Sequence, residues 1–83
     1  MKYIVIRAPE GEVPILFPRS FLHRYLAGLI RPMPIVSAGF VTIIDGNVRC
    51  YGMSAGLKLR SRPDDDEALV RACFSEGTRS SGI

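Results

Sequence analysis

Residues 35–53 have the sequence IVSAGFVTIIDGNVRCYGM, and this stretch decides the fold. Two runs rich in β-branched and aromatic residues flank Asp45-Gly46, a dipeptide that favours a two-residue type I′ turn. The turn predicts a β-hairpin in which Ile43 faces Val48 and Val41 faces Cys50. These pairs are apolar and form the predicted core face, because a slip of one residue would mix the two faces of the sheet.

The other side of the hairpin pairs Phe40 with Tyr51 and Thr42 with Arg49. An open sheet face with aromatic rings and arginine is typical of domains that stack single-stranded bases. The same face also suits a homodimer interface, or it is covered by the chain's own loops. We therefore take as candidate partner-binding residues Phe40, Arg49 and Tyr51, with Tyr3 and Arg7 beside them.

The flanking segments predict further strands. Residues 2–7 alternate as a strand does, and residues 13–17 return as a second strand after a turn. Pro14 places that second strand at an edge of the sheet, because proline has no N–H to donate to a ladder. Residues 57–60 alternate again, either as a third strand of this region or as the continuation of a kinked second one.

A helix is predicted between Ser20 and Ile30, where the apolar residues recur every four positions. Ser20 is its expected N-cap, and Pro32 ends it. His23 is expected to be a solvated helix residue. The stripe expected to pack on the core comprises Phe21, Leu22, Tyr25, Leu26, Leu29 and Ile30.

The opposite face of this helix carries Arg24, Ala27, Gly28 and Arg31. Small residues between arginines make a flat, positive surface that a carboxylate-rich partner can approach closely. The alternative is an ordinary solvated helix face, since exposed arginine is common.

A second helix is predicted to begin at Ser61-Arg62-Pro63-Asp64, with Ser61 as N-cap and Asp64 completing a capping box. The carboxylates of residues 64–67 lie where the helix dipole favours negative charge, and their sequential spacing sends them around the helix instead of bringing them together. The expected buried stripe is Leu69, Ala72 and Cys73, with Ala68 at its edge. Gly77 is the expected end of the helix.

These elements give the order ββαββ(β)α and an α+β fold, a small antiparallel sheet with both helices packed on one face. The predicted organisation is a single domain over residues 1–77 and a flexible tail over residues 78–83.

The composition favours a cytoplasmic protein without membrane segments or cofactors. The chain has 83 residues, of which 47% are hydrophobic, and no apolar run approaches the roughly 18 residues of a membrane helix. Cys50 and Cys73 lie in apolar stretches and are expected to be buried, inert thiols. With one histidine, cysteine and histidine cannot supply four zinc ligands. We find no nucleophile, base or metal set, so we do not expect an enzyme.

The net charge of +3 is unevenly distributed, because residues 1–59 carry seven basic residues against three acidic ones. Nine of the eleven basic residues are arginine, which favours forked contacts to carboxylate or phosphate and is common at interfaces. This indicates a partner, and it adds Arg19 to Arg24 and Arg31 as candidate contacts.

Three segments between residues 35 and 63 resemble small proteins encoded in bacteriophages and prophages: IVSAGFV, CYGMS and LKLRSRP. The resemblance implies an accessory factor that binds a host protein, a group that includes inhibitors of host defence systems such as anti-CRISPR proteins. Our first hypothesis is therefore a non-enzymatic protein that binds and inhibits or modulates a host protein. The alternative is a small nucleic-acid-binding module that uses the open sheet face.

Overall fold

The computed structural model describes residues 1–81, with side chains through residue 74. Its element order confirms the α+β class and the predicted order of strands and helices. The elements are β1 (Lys2–Ala8), β2 (Gly11–Phe17), α1 (His23–Leu29), β3 (Ile35–Ile44), β4 (Asn47–Tyr51), β5 (Met53–Ser54), β6 (Leu59–Arg60) and α2 (Pro63–Ser81).

Four strands form an antiparallel sheet in the order β2-β1-β3-β4. The register of β3 and β4 is the predicted one, with Ile43 opposite Val48 and Phe40 opposite Tyr51. The turn between them has positive φ at both central residues, 51° at Asp45 and 80° at Gly46. A type I′ turn requires this backbone, so the Asp-Gly signal specified the hairpin correctly.

The first hairpin is also as predicted, and β2 is an edge strand. Pro14 lies opposite Val5 in the β1–β2 ladder. An edge position suits proline, since its missing N–H removes no bond to a second neighbouring strand.

The chain turns sharply after β4. Gly52 has φ of 78° and separates β4 from β5, which pairs with β6 in a small second sheet. Of the predicted strand 57–60, only Leu59–Arg60 is strand. The chain then passes close to Gly39, where a Cβ atom would lie 2.5 Å from the Tyr51 carbonyl oxygen and 3.2 Å from Ser61 Cβ.

The two helices cover opposite faces of the sheet, so the prediction that both pack on one face is wrong. Leu69 and Val70 of α2 pack with Tyr3, Val5, Val41, Val48 and Cys50. Leu26 of α1 and Ile30 pack instead with Ile4, Ile6, Phe17 and Ala38. The reason lies in β1, where residues 3–6 are all buried. A central strand that is apolar on both sides needs cover on both faces.

The buried side of α2 also differs from the predicted stripe. Asp66 and Val70 are buried and Leu69 is half-buried, whereas Ala72 and Cys73 are exposed. The helix continues through Gly77 to Ser81, so its predicted end at Gly77 is wrong. Residues 82–83 of the predicted tail lie outside the described residues.

Candidate protein-binding surface

The most prominent surface feature is a row of large apolar side chains that α1 and the residues before it expose to solvent. We call it the α1 row, and its exposed fractions are 46% for Phe21, 53% for Leu22, 56% for Tyr25 and 64% for Leu29. The rings of Phe21 and Tyr25 lie 6.0 Å apart between centroids. The largest exposed apolar patch of a domain is often the one that meets a partner.

The α1 row belongs to the stripe that sequence periodicity predicted to be buried. Leu26 and Ile30 of that stripe do pack on the core, but they do so together with His23. These three residues lie on one side of the helix, so the neighbouring row about 100° away faces solvent. The predicted stripe was too wide for the short contact between α1 and the sheet. Ser20 is not the N-cap either, because α1 begins at His23 after Leu22.

His23 is buried, and the expectation of a solvated histidine is wrong. Its ring meets the ring of Phe17 at 5.4 Å and that of Phe40 at 5.7 Å, both edge-on. Its Nε2 lies 2.8 Å from the Gly39 carbonyl oxygen, a geometry in which neutral imidazole donates from Nε2. Burial lowers the pKa of His23 despite this hydrogen bond, and the positive charge of Lys2 lowers it further. His23 therefore anchors α1 to the sheet.

Phe40 and Tyr51 come together as predicted, with stacked rings 5.7 Å apart. The Arg19 guanidinium lies 5.5 Å from the centre of the Phe40 ring, within reach of a cation–π contact. Arg49 is exposed opposite Thr42. Tyr3, which we grouped with this face, is fully buried on the α2 side, so that assignment is wrong. Arg7 does not lie on this face either, because it pairs with Glu12 on the α2 side.

Arg24 and Arg31 lie on the α1 side of the molecule, and both are exposed. Arg24 lines a groove of about 390 Å³ between α1 and the turn that joins β5 to β6. Arg31 follows the end of α1 and is not among the residues that line this groove. The described residues that line the groove are Lys2, Leu22, His23, Arg24, Phe40, Met53, Ser54, Ala55 and Gly56.

The α1 side of the molecule is basic. The chain has no aspartate or glutamate from residue 13 to residue 44, and this stretch carries Arg19, Arg24 and Arg31. The acidic residues collect elsewhere, four of them in succession at positions 64–67 of α2. The α1 row is therefore an apolar surface with a positive border, the combination that suits a partner with apolar and acidic side chains.

Asp66 is the residue whose role the sequence did not indicate. We predicted that all four carboxylates of residues 64–67 act at the helix end, but Asp66 is completely buried. It accepts hydrogen bonds from the Tyr3 hydroxyl and from Ser37 Oγ at 3.0 Å. It also accepts from the Arg62 backbone N–H at 2.8 Å and from the Arg62 guanidinium. Ser37, in the middle of an apolar strand, could have indicated a buried polar partner, because a buried hydroxyl needs a hydrogen-bond partner.

This network fixes the start of α2. The helix begins at Pro63, so Arg62 and not Ser61 precedes it, and the Arg62 N–H donates to the Asp66 carboxylate. Arg62 also donates to Glu12 on β2 at 3.0 Å, which raises the pKa of the guanidinium. Burial and the bond to Asp66 raise the pKa of Tyr3. The network links β1, β2, β3 and α2.

Both edges of the main sheet are protected against the addition of another strand. Pro14 removes a donor from the edge formed by β2. On the other edge, the Cys50 N–H of β4 donates to Glu67 Oε2 at 2.9 Å. Recognition by strand addition needs unpaired edge groups. The α1 row is therefore the better candidate for contact with a partner.

Within the described part of the chain, no group of three or more histidine, cysteine, aspartate or glutamate side chains is arranged to hold a metal ion. No helix in the same part has the length and hydrophobicity needed to span a membrane. Comparisons with protein-family models, curated proteins and solved structures give no match.

Proposed function

We propose that this protein is a non-enzymatic binding module that occupies a surface of an acidic partner protein and thereby inhibits or modulates it. The observation that carries the proposal is the α1 row, four large apolar side chains that are each about half exposed or more. Burying such side chains against a partner is the main favourable contribution to association. A role as a phage accessory factor acting on a host protein rests on the resemblance of residues 35–63.

Charge favours an acidic partner over a second copy of this chain. Two copies that meet through the α1 row would gather four arginines, Arg24 and Arg31 of each copy, around one apolar interface. Like charges opposed across an interface cost several kcal/mol. A surface with carboxylates around an apolar centre meets no such repulsion.

Nucleic-acid binding through the sheet face is the second candidate, supported by the stacked Phe40–Tyr51 pair with Arg19 and Arg49 near it. Single-strand readers need ring faces that are open to successive bases. Here Phe40 is already in contact with the Tyr51 ring, the His23 ring and the Arg19 guanidinium. Tyr51, 44% exposed, offers the accessible ring of this group. We therefore rank a protein partner first.

The experiment is affinity capture from a bacterial lysate, with the captured proteins identified by mass spectrometry. Tyr25→Ser with Leu29→Ser should weaken the binding free energy of the partner by about 2–4 kcal/mol and so reduce its capture, because each truncated interface anchor costs more than about 1 kcal/mol. Arg24→Glu with Arg31→Glu should abolish capture, because the attraction between these positions and the partner's carboxylates becomes repulsion.

The matched control is Arg7→Glu with Arg71→Glu, which changes the net charge equally at two exposed positions on the α2 side of the sheet. This variant should capture the partner as the parent does, and every variant should melt as the parent does. Capture that survives both α1 variants, or is lost only in the control, would refute the proposal. Salt-sensitive binding of single-stranded DNA or RNA that requires Phe40 and Tyr51 would favour the second candidate.

A further inference from the structure

The groove between α1 and the β5–β6 turn joins the α1 row at Leu22, which belongs to both. Its volume of about 390 Å³ is large enough to admit side chains of another molecule. Leu22 and Met53, both about half exposed, supply its apolar rim. Ala55 and Gly56 leave the side formed by the turn without large side chains.

Two cations line the groove. Lys2 Nζ donates to the Phe21 carbonyl oxygen at 2.8 Å, which holds the ammonium beside α1 and leaves its other protons available. The stem of Arg24 lies against the β5–β6 turn, where a Cβ atom on Gly56 would be 3.7 Å from Arg24 Cδ. The aliphatic stem is thus packed against the turn, as is usual for arginines at contact surfaces.

The described residues that line this groove include no aspartate or glutamate. His23 adds no positive charge to the groove, because its Nε2 donates to the Gly39 carbonyl oxygen and burial lowers its pKa. Lys2 and Arg24 therefore place two positive charges at one concave, partly apolar site without a carboxylate from this chain. A ligand that carries an anion next to an apolar group complements both properties.

We infer that this groove receives an acidic side chain of the partner protein, with its carboxylate between Lys2 and Arg24 and an adjacent apolar side chain against Leu22 and Met53. The inference rests on the proposed function and specifies the partner sequence, an acidic residue next to a large apolar one. A peptide is favoured over a nucleic acid because the continuous neighbour of the groove is the apolar α1 row.

The probe is the peptide acetyl-Leu-Glu-Leu-Leu-Glu-amide, titrated into labelled protein while methyl NMR signals of Leu22 and Met53 are followed. The reference peptide has glutamine in place of each glutamate. We expect both methyl signals to shift, and the Glu peptide to bind at least about threefold more tightly than the Gln peptide, a modest charge effect at an exposed site. Lys2→Gln with Arg24→Gln should remove this difference, and Arg71→Gln, at an exposed position of α2 on the opposite face of the sheet, should preserve it.

Equal affinity of the two peptides would overturn the inference, as would shifts centred away from Leu22 and Met53 or an absence of shifts. Preference of the groove for oligothymidylate over the Glu peptide would overturn it too. Failure of this inference is distinguishable from failure of the proposed function. A lysate partner that is lost on Tyr25→Ser with Leu29→Ser but retained by Lys2→Gln with Arg24→Gln leaves the proposed function standing and refutes only the groove.

Discussion

Replacement of Asp66 by alanine should be the most damaging single change on α2. The Asp66 side chain is completely buried and accepts bonds from Tyr3, Ser37 and Arg62. Alanine would leave two buried hydroxyls and one helix-end N–H without this acceptor, while the Arg62 guanidinium would keep Glu12 as its other partner. Groups of this kind that lose their partner carry the full penalty of desolvation.

The expected loss is about 3 kcal/mol of unfolding free energy. Breaking a buried ion pair by removing one partner costs about 3–5 kcal/mol. The Arg62 side chain is 31% exposed and keeps Glu12 as an ion-pair partner, so the lower end of that range applies. For a domain of this size, a loss of about 3 kcal/mol lowers the melting temperature by about 15 °C.

The assay is urea and thermal unfolding followed by circular dichroism. Asp65→Ala is the matched control, because Asp65 is the neighbouring exposed carboxylate on the same helix, and its loss should stay within about 0.5 kcal/mol. Tyr3→Phe should cost about 1–2 kcal/mol, and its combination with Asp66→Ala should be less than additive. If Asp66→Ala and Asp65→Ala unfold alike, the argument that Asp66 anchors α2 is wrong.

Three further predictions concern the two thiols, His23 and two glycines. Cys73 is exposed and Cys50 is buried with its pKa raised by burial to about 11, so a thiol reagent should label Cys73 in the native protein and Cys50 only after unfolding; rapid native labelling of Cys50 would contradict this. Because burial lowers the pKa of His23 below its ordinary 6.5, stability should be full above about pH 6.5 and fall on acidification as the unfolded chain binds the proton. His23→Gln should flatten this dependence, and parallel stability curves for the two proteins would refute it. Gly39→Ala should cost about 1–3 kcal/mol of stability, because its Cβ would meet the Tyr51 carbonyl oxygen. Gly28→Ala in α1, with open space around it, should stabilise the fold by up to about 1 kcal/mol. Similar melting temperatures for the two variants would contradict the packing described around Gly39.

The strands were predictable because their signals are local. Asp45-Gly46 requires positive φ, and the alternation of apolar residues around it allows only one register that buries a whole face. Pro14 likewise identified an edge from its own chemistry. Such features depend on neighbours in the sequence and not on what packs against the sheet.

The positions of the helices depended on packing and were mispredicted. His23 was expected in water and lies between two aromatic rings, which rotates α1 and exposes four of the six residues of its apolar stripe. Asp66 was expected at the surface and occupies a core position, because Tyr3 and Ser37 present hydroxyls to it from the strands. Periodicity analysis treats a polar residue as exposed, so a satisfied buried one shifts the predicted face.

The candidate site was foreseen in part. Phe40 and Tyr51 do come together, and Arg24 lines a groove, but the contact between Arg19 and Phe40 was not predicted. The α1 row was not foreseen as a surface, because the same apolar spacing that marks a core helix also marks a helix that binds a partner. Sequence alone could not distinguish these two outcomes.

The most direct test of the α1 row is site-specific photo-cross-linking in a bacterial lysate. A photoreactive phenylalanine derivative would replace Leu29 in one protein and Ile44 in another; the native residues are 64% and 67% exposed, on α1 and at the tip of the β3–β4 hairpin. We predict that position 29 forms an adduct with one protein and that position 44 does not. The adduct should disappear when Arg24→Glu and Arg31→Glu are added. Equal adducts from both positions, or adducts with nucleic acid alone, would contradict a protein-binding surface on α1.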